Sequence, residues 1–231
     1  RLRKREKLKG YERRVASLYR RAYLPAVGLR ILYPIVGEEV KRDCASPEDV
    51  IEYACCLTRA GALEEAESYL KRPDFQKYPQ AIFFRFGIKL RKWEYSEGIE
   101  ILKPYLAIPS LKKYEVMTAK LNLSLAYTYL GEYNRAKPFL LEVLAETSPE
   151  TERLLYSNAL RLMGCLELFR NNLSTALDYL AKAAQSLNQS SSLDHFLCRK
   201  WIAICQFMMS PKKADFREHL EEVRKEACQI Q

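Results

Sequence analysis

The chain has 231 residues, of which 48% are hydrophobic, with eight glycines and ten prolines. That supplies a sizeable core but too little punctuation for a many-stranded β protein, and too much apolar content for a disordered one. The formal net charge of +9 sits at the start: residues 1–21 hold ten Lys or Arg against two Glu (+8), leaving 28 basic and 27 acidic groups (+1) for the other 210, so the basic pI does not mark the body as a nucleic-acid binder.

Residues 1–21 read as a basic arm that runs into a first helix. Leu8, Val15, Leu18 and Tyr19 give it a partial apolar stripe. Arg3, Lys4, Arg5, Lys7 and Lys9 are candidates for phosphate contacts, which would make nucleic acid a salt-sensitive partner. An anionic membrane surface, a linker from a preceding domain and a solvated helix of the body are the other readings of this arm. The absence of an initiator Met suggests a fragment of a longer protein.

From there one phrase recurs: a turn residue, then two on an aromatic or Leu, then a small residue, then a large apolar one. Its copies are Ala22, Leu24, Val27, Ile31; Gly61, Leu63, Ala66, Leu70; Trp93, Tyr95, Gly98, Leu102; Gly131, Tyr133, Ala136, Leu140; and Asn171, Leu173, Ala176, Leu180. The starts are 39, 32, 38 and 40 residues apart. An amphipathic stretch precedes each turn, such as Leu121, Leu123, Ser124, Tyr127 and Leu130. Two helices joined by a tight turn, repeated about every 38 residues, predict an all-α chain built as an α-solenoid. A divergent last pair follows a Ser-rich loop at 189–192, with Trp201, Ala203 and Phe207 on one helix and Phe216, Leu220 and Val223 on the next.

Chemistry-bearing patterns are missing from the sequence. There is no phosphate-binding glycine loop, no nucleophile elbow and no HExxH. His195 and His219 stand apart, and the seven cysteines (Cys44, Cys55, Cys56, Cys165, Cys198, Cys205, Cys228) form no CxxC pair. Most of these cysteines fall on apolar helix faces and read as small hydrophobes in a reducing, cytoplasmic compartment. No run of 18 apolar residues occurs. The chain therefore reads as a non-enzyme with no cofactor and no metal.

The best copies carry a family resemblance. Leu123, Ser124, Tyr127, Gly131, Tyr133 and Ala136, with Pro149 beyond, resemble the tetratricopeptide (TPR) repeat, as do Met163, Gly164, Asn171, Leu173, Ala176, Leu180 and Ala183. The resemblance covers residues 8–190, after the basic arm of 1–21 and before capping helices in 191–231. It implies a right-handed superhelix of five to six helix-turn-helix pairs whose first helices line a concave groove. The implied groove residues are Phe83, Phe84, Gly87 and Arg91; then Leu121, Asn122, Leu125 and Tyr129; then Asn158, Arg161, Leu162, Cys165 and Phe169. Some members grip a C-terminal carboxylate with Lys and Asn. Here Glu12 and Ala16, Leu121 and Leu125, and Arg161 and Cys165 take those places, so that clamp is absent. The resemblance implies an interaction module or scaffold that binds a peptide or helix of a partner protein. Asn122 and Arg161 are the polar contacts it favours, because leaving either buried and unpaired would be costly. The alternative is the sensor domain of a peptide-responsive transcriptional regulator whose DNA-binding domain lies outside these residues.

Overall fold

A computed structural model describes residues 10–37, 44–71, 78–187, 192–210 and 221–225, with the backbone alone at 192 and 193. The basic arm at 1–9, and with it Arg3, Lys4, Arg5, Lys7 and Lys9, lies outside the described residues. The described chain is all α-helical. It comprises α1 (Glu12–Arg21), α2 (Pro25–Val36), α3 (Pro47–Ala60), α4 (Leu63–Leu70), α5 (Pro79–Arg91) and α6 (Tyr95–Leu102). A 3-10 turn at Pro104–Ala107 follows. Then come α7 (Lys113–Tyr129), α8 (Tyr133–Glu146), α9 (Arg153–Phe169), α10 (Leu173–Ser186) and α11 (Ser192–Met209). Helices pack on their neighbours in sequence, which is the arrangement of an α-solenoid.

All five turns within pairs close in the same way. Tyr23, Gly61, Trp93, Gly131 and Asn171 hold φ between 61° and 89°. The next residue's N–H reaches back to the carbonyl five positions earlier: Leu24 to Tyr19, Ala62 to Leu57, Glu94 to Lys89, Glu132 to Tyr127 and Asn172 to Glu167, at 2.8–3.0 Å. This closure satisfies carbonyls that a helix end leaves open. Glycine and asparagine adopt the left-handed conformation readily. Tyr23 and Trp93 do so with their rings turned out, 54% and 77% exposed.

Register from these turns is strict. Five residues on lie Gly28, Ala66, Gly98, Ala136 and Ala176, all buried. Nine residues on lie Leu32, Leu70, Leu102, Leu140 and Leu180, all fully buried. Seven residues before lie Ala16, Ala54, Phe86, Ser124 and Gly164, again buried. The small positions let the helices of a pair approach closely. The first copy is therefore Tyr23, Pro25, Gly28, Leu32, one residue later than the expected Ala22, Leu24, Val27, Ile31. Its groove positions move by one as well, from Glu12 and Ala16 to Arg13 and Ser17.

Two compact units divide the chain, Arg1–Ile108 and Pro109–Gln231. The first holds pairs α1/α2, α3/α4 and α5/α6. Its core joins Leu32, Val36, Val50, Ile51, Ala54, Leu70 and Ile88. The helix α6 has only 8 residues against 14 in α8 and α10, and Pro104 follows it within two positions. The second unit holds pairs α7/α8 and α9/α10, with α11 against the last. Cys198 and Cys205 of α11 enter two clusters there, with Leu160 and Ala183, and with Leu168, Ala176 and Leu180. Of the expected final helix, Val223 is buried, while Phe216 and Leu220 lie outside the described residues. No described helix is long and apolar enough to cross a membrane.

Cysteine placement gives a direct test of this packing. Cys44 is exposed, whereas Cys55, Cys56, Cys165, Cys198 and Cys205 are buried free thiols. Burial pushes Cys56 and Cys165 up to about 12 and Cys198 up to about 11. The thiolate is the reactive form. Brief alkylation of the native chain, read by mass spectrometry, is expected to modify Cys44 and to spare those five until urea is added. Fast labelling of Cys198 or Cys205 would mean that α11 does not stay docked.

Candidate functional site

Within each unit, the first helices of the pairs present one face, and the candidate residues fall on it at repeating positions. In the first unit this face is made by α1, α3 and α5. Arg20 of α1 donates twice to Glu52 of α3, Nε to Oε1 at 2.6 Å and Nη2 to Oε2 at 3.2 Å, with both side chains 11% exposed. Burial alone would lower the Arg20 pKa, but the hydrogen bond and charge of Glu52 outweigh it and hold it above the ordinary value. The same guanidinium lies 5.7 Å from the centre of the Phe84 ring of α5. Phe84 is partly buried against the core. Phe83 turns the other way, onto Tyr105 at 5.8 Å. Gly87 lies between Phe83 and Arg91 on α5, and a Cβ built there meets nothing within 4 Å. Arg91 is exposed at the end of the same helix.

Several other charges of this unit are paired. Arg13 faces Glu48 and Asp49 at 3.7 and 3.9 Å, beside a shallow cavity of about 570 Å³ that opens between α1 and α3. Lys89 and Lys92 share Glu67 and Glu94, with Glu97 and Glu64 completing the network. Hydrogen bonds to Lys92 and Lys89 hold the Glu67 carboxyl below its ordinary range.

In the second unit the face is made by α7, α9 and α11. It carries an aromatic row. Tyr129 at the end of α7 lies 6.0 Å from Phe169 at the end of α9, and Phe169 lies edge-on to Trp201 of α11 at 5.8 Å. Tyr129 and Phe169 are 41% and 39% exposed. Lys200 sits over the Trp201 ring at 4.9 Å. Leu125 is partly buried, one turn before Tyr129. Leu121 and Cys165 are buried, 7% and 3% exposed, and form the wall of the face rather than its surface.

The polar candidates are satisfied within their own helices. Asn122 donates through Nδ2 to the Thr118 carbonyl at 2.8 Å. Arg161 donates Nε and Nη2 to Asn158 Oδ1 at 3.2 and 2.9 Å. Each has a partner, so an unpaired-burial argument does not single them out. Beneath the row, Glu167 is 5% exposed. It accepts from Asn172 Nδ2 at 2.7 Å, with Arg170 at 3.5 Å and Lys137 of α8 at 3.7 Å.

The sequence reading missed Arg59 on the face of the first unit and Trp201 on that of the second, and Glu52 and Glu167 as buried carboxylates. Counting back from the turn would have found the first. Two residues before each turn stand Arg21, Arg59, Arg91, Tyr129 and Phe169.

No family model matches this chain, and no curated protein matches it in sequence. A solved structure resembles it in fold: BtubC (BKLC) from P. vanneervenii, with a TM-score of 0.58 over 89% of each chain and 14% sequence identity. At that identity the likeness is one of fold alone.

Proposed function

We propose that this chain is a TPR-type interaction module with no catalytic chemistry of its own. It takes a segment of a partner polypeptide on the face built by the first helices of its pairs. The observation that carries this reading is the row Tyr129–Phe169–Trp201, whose first two rings are exposed by about two-fifths yet held ring against ring. Aromatic side chains fixed at solvent supply large contact area at little entropic cost. The buried free thiols fit a reducing, cytoplasmic setting.

The test is selection from a displayed random-peptide library, followed by affinity measurement on variants. Selected peptides are expected to lose at least tenfold in affinity on Phe169→Ser. Asn122→Ala with Arg161→Ala should weaken them less, because those side chains already bond within their helices. Circular dichroism should be unchanged in both variants, since Phe169 is exposed and Asn122 and Arg161 are only partly buried and bond within their own helices. A library that yields no binder, or binders indifferent to Phe169→Ser, would sink the proposal.

A further inference from the structure

The position two residues before the turn carries an arginine in all three pairs of the first unit: Arg21, Arg59 and Arg91. All three are exposed, and none has a carboxylate within ion-pair distance among the described residues. The contrast with their neighbours is sharp. Arg20, one position earlier, is clamped by Glu52, and Lys89 and Lys92 are each shared by several glutamates. Arg14, Arg30 and Arg85 of this unit also have no carboxylate partner among the described residues, so what sets Arg21, Arg59 and Arg91 apart is their recurrence at one repeat position in three successive pairs.

Arg59 and Arg91 stand at the same repeat position of adjacent first helices, α3 and α5. Burial is the main cause lowering the Arg91 pKa, and the charge of Arg59 adds to it. Like charges on neighbouring helices repel, and an anion lying across them relieves that repulsion. Beside them the surface is open and apolar. Gly87 is one turn before Arg91 and leaves its side of α5 clear, and Phe84 supplies an aromatic ring whose face already meets one cation, Arg20.

We infer that Arg59 and Arg91 form a recognition site for an acidic segment of a partner polypeptide, one that lays carboxylates across α3 and α5 with its backbone passing over Gly87. This rests on the peptide-binding reading above and gives that partner its chemistry. Guanidinium groups meet carboxylates in paired hydrogen bonds. Packed helices stand about 8–10 Å apart, and a chain in the extended polyproline II form advances about 3.1 Å per residue and returns its side chains to one side every three residues. Acidic side chains roughly three positions apart would therefore meet the two arginines. The bare Gly87 surface favours a polypeptide main chain over a bulky polyanion.

The experiment uses the full chain and a fluorescein-labelled set of synthetic extended peptides. Each holds one Leu and two Glu, at separations of one to four residues, with Gln versions as controls. Affinity is read by fluorescence anisotropy at two salt concentrations. The expected result is a preference for Glu over Gln of at least tenfold, greatest near a separation of three, and abolished by Arg59→Ala with Arg91→Ala. Gly87→Gln, which fills the open surface without touching the core, should also block binding. Circular dichroism of both variants should match the parent, because every altered side chain is at the surface. If Glu and Gln peptides bind alike and only Gly87→Gln or Phe169→Ser weakens them, the peptide-binding reading stands and the arginine site is overturned. If no peptide of either series binds, and the displayed library also yields none, both fall. Tighter binding of a single-stranded oligonucleotide than of any Glu peptide, lost with the same two arginines, overturns the site as one for polypeptide.

Discussion

Glu52→Ala is expected to destabilise the first unit by about 3 kcal/mol, the cost of stranding a buried charge. Arg20 and Glu52 bridge α1 and α3 in a two-bond pair that water barely reaches. Removing the carboxylate leaves the guanidinium in place, with Phe84 on one side and the buried Cys56 thiol nearby. That guanidinium cannot shed its proton to escape the penalty. Replacing both partners tests whether the loss is one of stranding or of attraction. Arg20→Leu with Glu52→Leu should recover most of the stability, because a well-packed apolar pair costs nothing to desolvate. Arg13→Ala is the exposed comparison: its contacts at 3.7 and 3.9 Å lie in solvent and should contribute no more than about 1 kcal/mol. Urea unfolding followed by circular dichroism measures all three, fitted to allow the two units separate transitions. A loss below about 1 kcal/mol for Glu52→Ala would show that Arg20 finds water once its partner is gone.

Two glycines in the interiors of first helices should respond in opposite directions to the same substitution. At Gly164 of α9, a Cβ would lie 2.6 Å from Leu180 Cγ and 3.1 Å from the Ala176 carbonyl oxygen. Leu180 is fully buried and the carbonyl belongs to α10, so neither can retreat unless α9 and α10 separate. Overpacking of this kind costs about 1–3 kcal/mol, against which the better helix propensity of alanine returns at most about 1 kcal/mol. At Gly87 of α5 nothing stands within 4 Å, so only the propensity gain remains. Gly164→Ala should therefore lower the melting temperature of the second unit, while Gly87→Ala raises that of the first. Equal shifts of the same sign would mean that α9 and α10 are not packed as described.

The fold was legible in the sequence wherever a turn residue announced itself. Gly61, Gly131 and Asn171 favour the left-handed conformation, and each set the register of its pair correctly. Tyr23 was missed because a tyrosine carries no such signature and Ala22, Leu24, Val27 and Ile31 offer the same phrase one residue early, whereas Trp93, equally unmarked, was placed by Tyr95, Gly98 and Leu102 after it. The Tyr23 φ of 61° is imposed by the two backbone bonds that close the turn, from Tyr23 N to Arg20 O and from Leu24 N to Tyr19 O. Reading Val27 as the small residue then hid Gly28, which lies against Ala16 and Cys56. The candidate faces were half legible. Phe84 and Arg91 in the first unit and Tyr129 in the second were expected there by repeat position, but position alone does not say which side chains face an adjacent helix, and Leu121 and Cys165 do. Glu52 and Glu167 were illegible for a plainer reason: a glutamate in an amphipathic helix reads as solvated until its buried partner is known. The division near residue 108 was equally hidden, since no distinctive linker marks it in the sequence and the short helix before it, α6, is no shorter than α4.

The matching of bulk across each pair has a consequence for how such a chain can grow. In the third pair the large residue stands on the first helix and the small one on the second, Phe86 against Gly98; in the fifth, Gly164 on the first helix receives Leu180 and Ala176 of the second. The second helices nevertheless share one pattern, a small residue five after the turn and a leucine nine after it, so the facing bulk is set by the first helix, Phe86 in one pair and Gly164 in the other. Exchange of second helices between pairs would change that contact by a single methyl group, Gly98 for Ala176, whereas exchange of a first helix carries the spacing of the pair with it.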